Sequence, residues 1–159
     1  MKELLEILEA EGPVETAELA VRLGRSEEEV ARALESLREQ GVLLRYSALV
    51  NWEKVDADKV YAFINVSATP EHGHGFDHVA EYLAQFPEVH SLYLMSGTAD
   101  LCVVVEGSDF RDIARFVAEK LAPTPGVKST ATSFVLKTYK MEGENLLGEA
   151  RNGRLAVSP

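Results

Sequence analysis

The feature that most narrows the possible folds is a repeat in the second half of the chain. Phe76, Val79, Ala80, Tyr82, Leu83 and Ala84 return as Phe110, Ile113, Ala114, Phe116, Val117 and Ala118, a lag of 34 residues (76 to 110). Each helical pattern leads through a proline turn into a strand-like run: Pro87-Glu88-Val89-His90-Ser91 is echoed by Pro125-Gly126-Val127-Lys128-Ser129, at a lag of 38 (87 to 125). Two copies of helix, proline turn and strand, with a further strand before each helix, give the order βαββαβ. That is the split βαβ arrangement of a ferredoxin-like sandwich. The expected elements are strand Val60–Ala68, helix Phe76–Phe86, strands Val89–Ser96 and Leu101–Glu106, helix Phe110–Leu121 and strand Val127–Tyr139. Both faces of Val60–Val66 are largely apolar, and Leu92–Met95 has no polar side except the Tyr93 hydroxyl. Two helices cover only one face of such a sheet, so the other should pack against a second copy of the chain.

Residues 1–46 follow a helical period instead. Leu4, Ile7 and Leu8 mark a first helix that Gly12-Pro13 stops, and Thr16 can cap a second helix carrying Leu19, Ala20 and Leu23. Gly24 supplies a turn, and Ser26 with Glu29 forms a capping box for a third helix with Val30, Ala33, Leu34 and Leu37 on one face, ended by Gly41. Helix, short break, helix with a buried stripe is the helix-turn-helix layout. Val42–Trp52 reads as one strand plus a connection, Asp56–Lys59 as a polar hinge, and the residues after Met141 as a loose tail.

With Val30, Leu34 and Leu37 inward, the third helix turns Glu28, Ala31, Arg32, Glu35 and Glu39 outward, flanked by Arg38. A helix entering a major groove needs donors for bases and phosphates, and Arg25, Ser26, Arg32 and Arg38 are the good ones here. Sixteen basic against 26 acidic residues give the chain a net charge of -10. Double-stranded DNA would therefore be held by a local patch and not by the overall field. The alternative is a solvated packing face, with Glu27–Glu29 matching the helix dipole.

A second candidate site is the turn Ser96-Gly97-Thr98-Ala99-Asp100. Gly97 can expose backbone N–H groups to a ligand, Asp100 can meet an ammonium group, and Thr130 and Thr132 share one face of the last, edge strand. Together they suit the polar ends of a free amino acid; the alternative is an ordinary hairpin with an Asp-stabilised turn. The tract His72-Gly73-His74-Gly75-Phe76-Asp77-His78 invites a metal reading but reads better as a solvated loop, and no metal or cofactor is expected. The single Cys102 leaves no internal disulfide and reads as a small apolar core residue. No Ser-His-Asp order, Walker-type loop or CxxC is present, so the expectation is a binding protein and not an enzyme. No apolar run approaches the roughly 18 residues of a bilayer span, and the opening residues lack a signal-peptide build, so the cytoplasm is the expected address and no membrane partner is expected.

These residues together resemble the Lrp/AsnC (feast/famine) transcription regulators. The matching stretches are Glu18-Leu19-Ala20, Leu23-Gly24-Arg25-Ser26, Leu37, Gly41-Val42-Leu43, Phe86-Pro87-Glu88-Val89, Tyr93 to Leu101, and Val127 to Thr132 running into Val135-Leu136-Lys137. The connector Leu49-Val50-Asn51-Trp52-Glu53-Lys54 resembles one branch of that family. The resemblance implies an α+β protein: a winged helix-turn-helix over residues 1–46, a connector strand and hinge over 47–59, a ferredoxin-like effector-binding and oligomerisation (RAM) domain over 60–140, and a tail over 141–159. It implies homodimers joined through their sheets, with octamers as a further assembly, and an amino acid or related small-molecule effector bound between dimers. By position, Gly97, Thr98, Asp100, Thr130 and Thr132 become effector contacts, and the helix from Ser26 to Glu39 reads DNA. Two departures stand out: positions commonly basic on the third helix are Ala33, Glu35 and Ser36, and an aromatic common before the hairpin Asp is Ala99. The runner-up is a ligand-sensing or protein-interaction module with a vestigial helix-turn-helix. An enzymatic reading, by likeness to siroheme decarboxylases, lacks a His-containing haem site in the hairpin.

Overall fold

The computed structural model describes residues 1–55 and 58–147, which fall into two units dividing between Val50 and Asn51. The first holds α1 (Lys2–Glu11), α2 (Thr16–Leu23) and α3 (Glu27–Glu39). Leu4, Leu8, Leu19, Ala20, Val30, Leu34 and Leu37 form its core, with Ala33 and Leu23 packed at the margin. Gly24 ends α2 in the left-handed conformation at φ 62 and ψ 37, and the Ser26–Glu29 capping box opens α3. Two details differ from expectation. Thr16 is the first residue of α2, not its cap; Glu15 occupies that position without a side-chain bond. Val42–Trp52 forms no strand: a strand needs a ladder partner, and the chain offers this segment none among the described residues. Val42 and Leu44 stay exposed, and Trp52–Lys54 makes a short 3-10 turn.

The second unit is built on β1 (Val60–Ala68), β2 (Val89–Leu94), β3 (Leu101–Gly107) and β4 (Val127–Phe134), an antiparallel sheet in the order β2-β3-β1-β4. The helices α4 (Asp77–Leu83) and α5 (Phe110–Phe116) pack on the face made by Ala62, Ile64, Val66, Leu101, Val103 and Val105. Both helices are shorter than the repeat suggests. α5 runs on into a single π-type turn, Val117–Leu121, closed by the Ala122 N–H donating to the Val117 carbonyl at 2.8 Å. That turn buries Leu121, and the four residues by which the lag grows from 34 to 38 fall between Ala118 and Pro125.

The other face carries Tyr61, Phe63 and Asn65 beside Val104 and Cys102, in register Tyr61↔Glu106, Phe63↔Val104 and Asn65↔Cys102. Cys102 is buried, but on this helix-free face and not in the core between sheet and helices. Phe63 is 47% and Tyr93 54% exposed there. β4 ends at Phe134, five residues before the expected boundary at Tyr139. Lys140 and the first residues assigned to the tail instead make a hairpin, β5 (Lys140–Met141) with β6 (Glu144–Asn145), across the expected boundary at 140/141; residues 148–159 lie outside the described residues. Among the described residues no helix is long and apolar enough to cross a membrane.

Gly126 sits at φ 90 in the turn before β4, where an added Cβ would lie 2.7 Å from Val79 Cγ2 in the core. Gly126→Ala should therefore cost about 2–4 kcal/mol from left-handed strain and overpacking together. Chemical denaturation should show a lower midpoint with an unchanged slope. Ser26→Ala should cost about 1 kcal/mol through the lost cap, read in the same way.

Candidate functional site

The structure exposes Arg25 and Ser26 at the entry to α3 and Arg32 and Arg38 on it, as a reading surface requires. Their availability differs. Arg38 lies 3.6 Å from Glu35, and Arg32 Nε donates to the Glu28 carbonyl at 3.3 Å. The Ser26 hydroxyl is engaged at home, donating to Glu29 Oε2 at 3.0 Å while accepting from the Glu29 N–H at 3.3 Å. The Ser26 N–H and hydroxyl hold the Glu29 carboxyl below its ordinary value, so the start of α3 stays anionic. Arg22, nearby in sequence, is taken up by Glu11 and Glu18. Arg25 makes no ion pair or side-chain hydrogen bond among the described residues and is the least committed of the three candidate arginines.

At the sheet, Asp100 lies where β1 outruns β3. Its N–H donates to the Val66 carbonyl at 3.0 Å, and its Oδ2 accepts from the Ala68 N–H at 2.8 Å. The carboxylate thus replaces the strand partner that Ala68 would otherwise lack. Its second oxygen makes no hydrogen bond among the described residues. Gly97, at φ 149, and Thr98 form the exposed hairpin tip. Thr130 and Thr132 stand on the edge strand opposite Val66 and Ile64, on the helix side of the sheet. Thr130 and Leu101 flank Val66 from its two sides, so Thr130 and the Asp100 region are about 10 Å apart, two strand spacings. Asp100 and Thr130 are brought to one end of the sheet; Thr132 lies two residues further along.

The histidine tract is organised around a carboxylate. His78 Nδ1 lies 2.6 Å from Glu71, and the His74 and His78 rings stack with centroids 4.3 Å apart. Among the described residues no group of three or more His, Cys, Asp or Glu is placed to hold a metal ion.

A polar network that sequence reasoning missed sits at the far end of the helix-free face. Lys59 Nζ lies 2.6 Å from Glu106 and 4.4 Å from the centroid of the Trp52 ring, while Tyr61 meets His90 edge-on at 6.0 Å. The Lys59 hydrogen bond holds the Glu106 carboxyl below its ordinary value, and burial followed by Glu106 pushes the Tyr61 hydroxyl up. Only the register Tyr61↔Glu106 creates this cluster, and no spacing in the sequence announces it.

A three-helix unit with an exposed third helix, joined in one chain to a βαββαβ sheet carrying a carboxylate-capped hairpin, defines a helix-turn-helix transcription regulator with a sensing domain. The family profile of the Lrp/AsnC ligand binding domain matches residues 61–144. A Bacillus subtilis relative, the HTH-type transcriptional regulator YugG, is 42% identical over 158 residues, covering 99% of this chain and 95% of its own. The leucine response regulatory protein of Mycobacterium tuberculosis superposes with a TM-score of 0.74 at 26% identity, covering 90% of this chain and 94% of that one. A transcriptional regulator of Neisseria meningitidis solved in complex with L-Met has a TM-score of 0.64 at 29% identity, covering 87% and 88%. The chain belongs to the Lrp/AsnC family of transcriptional regulators.

Two outcomes follow from this geometry. Glu35→Gln removes an anion from the α3 surface and frees Arg38, so affinity for duplex should rise about two- to fivefold in a fluorescence anisotropy titration. Because the folded Glu106 value is depressed, its stabilising contribution is complete above the ordinary value of 4.5 and is lost as pH falls through the folded value. The denaturation midpoint should fall more steeply below that pH in the natural chain than in Glu106→Gln.

Proposed function

We propose that this chain regulates transcription as an oligomer that binds double-stranded DNA through α3 and is tuned by an amino acid or related small molecule at the hairpin end of the sheet. The observation that carries the effector reading is Asp100. One of its oxygens is fixed to the Ala68 N–H, the other makes no hydrogen bond among the described residues, and the exposed Gly97-Thr98 tip lies two to three residues before it in the chain. A carboxylate oriented in this way suits an ammonium group. Backbone N–H groups at the tip, with the Thr130 and Thr132 hydroxyls across Val66, suit a carboxylate. The L-Met complex of the Neisseria meningitidis relative supports an amino acid as the ligand class.

Assembly follows from the helix-free face, where Phe63 and Tyr93 stand in water around buried Val104 and Cys102. Covering that face with a second copy removes this apolar surface from water and joins two reading heads. Ligand bound at one assembly then biases which half-sites are occupied together. The acidic residues Glu28, Glu35 and Glu39 on α3 favour the second reading, a sensing module whose helix-turn-helix binds DNA weakly.

Selection of bound fragments from the source genome, followed by titration with and without amino acids, tests the proposal. Arg32→Ala with Arg38→Ala should weaken binding about tenfold or more and reduce the salt slope. Indifference of duplex binding to that pair, with ligand binding retained, would favour the second reading. Asp100→Asn keeps an acceptor for the Ala68 N–H and removes the charge. By calorimetry with L-methionine as probe, it should stay folded and lose at least about tenfold in ligand affinity.

A further inference from the structure

The connector sequence Asn51-Trp52-Glu53-Lys54 is more constrained than a linker requires. The Asn51 side-chain carbonyl accepts from the Glu53 N–H at 3.1 Å, and its amide nitrogen donates to the Leu146 carbonyl at 3.3 Å. Glu53 Oε1 accepts from the Thr138 N–H at 3.0 Å. Trp52 faces the Lys59 ammonium, itself bonded to Glu106. The short turn is therefore tied at two points to the segment after β4, across 95 and 85 residues of chain. That segment is braced in its own right. Glu142 at φ 47 and Gly143 at φ 91 form the tight turn of the β5–β6 hairpin, and the Leu146 N–H donates to the Tyr139 carbonyl at 2.9 Å.

We propose that Asn51 and Glu53 clasp the connector to the C-terminal hairpin, fixing the point where the chain leaves the sheet unit toward the helix-turn-helix unit. The side chain of Asn51 is specifically suited to such a clasp, because its amide offers an acceptor to the turn and a donor to the hairpin, and an aspartate would offer only the first. β4, which carries Thr130 and Thr132, leads directly into the clasped segment, so anything that shifts the edge strand acts on the connector. The clasp is thus a positioning device between sensing and reading. This consequence for DNA rests on the regulatory function proposed above; the clasp itself does not.

The test uses the full chain in four forms: natural, Asn51→Asp, Glu53→Ala and Gly143→Val. The last opens the hairpin turn from the opposite side without touching the connector. All three variants should speed hydrogen exchange at the Thr138 amide and trypsin cleavage after Lys54 by about tenfold, with β1 and β3 amides unchanged. Glu53→Gln keeps the acceptor and should restore natural behaviour. On duplexes with paired half-sites about one helical turn apart, the natural chain should discriminate against added base pairs, and the opened variants should lose that discrimination while binding the best spacing. Unchanged exchange and cleavage in all three variants would overturn the clasp. Faster exchange with unaltered spacing preference would overturn its role in positioning. Failure of the natural chain to bind any duplex would instead overturn the function proposed above, and exchange and cleavage would still decide the clasp.

Discussion

The register of β1 against β3 is the constraint on which the sensing unit depends. Pairing Val66 with Leu101 and Val60 with Gly107 sets seven consecutive residue pairs, and a slip of one would turn Ala62, Ile64 and Val66 away from the helices. The same register leaves β1 longer than β3 at one end, which creates the unpaired Ala68 N–H that Asp100 satisfies. At the other end it sets Tyr61 beside Glu106 and brings Lys59 within reach. Core, hairpin and polar network are therefore three consequences of one alignment.

Much of this is legible in the sequence because it rests on periodicity. The apolar pattern predicts the Val60–Ala68 strand at its observed limits, and the cores of both units follow the same spacing. The capping box can be read because Ser26 and Glu29 act locally. What escapes depends on partners distant in sequence. Val42–Trp52 has strand composition but no ladder within its own chain among the described residues. The hairpin after β4 has strands of two residues each, and its flanks at Thr138 and Leu146 are tied to Glu53 and Asn51 by contacts that no local pattern encodes. For the site, the sequence supplies Asp100 as a carboxylate at a turn. It does not show that one oxygen is already spent on Ala68, nor that Thr130 lies across Val66 from it.

The electrostatics give the regulator its character. The reading unit is acidic, Arg38 is shared with Glu35, and Ser26 is committed to its own helix, so a single copy offers few strong phosphate contacts. In the proposed function, useful affinity comes from joining copies, which multiplies weak contacts without changing any one of them. In the function proposed above, the uncovered sheet face and the weakly basic α3 surface are complementary: the first would provide the assembly that the second requires.

Sedimentation velocity of the purified chain over a dilution series, run with and without a selected duplex, addresses this most directly. The account predicts an even-numbered assembly at micromolar concentration, with duplex binding falling away in step with dissociation on dilution. A monomer that holds duplex with undiminished affinity would contradict it.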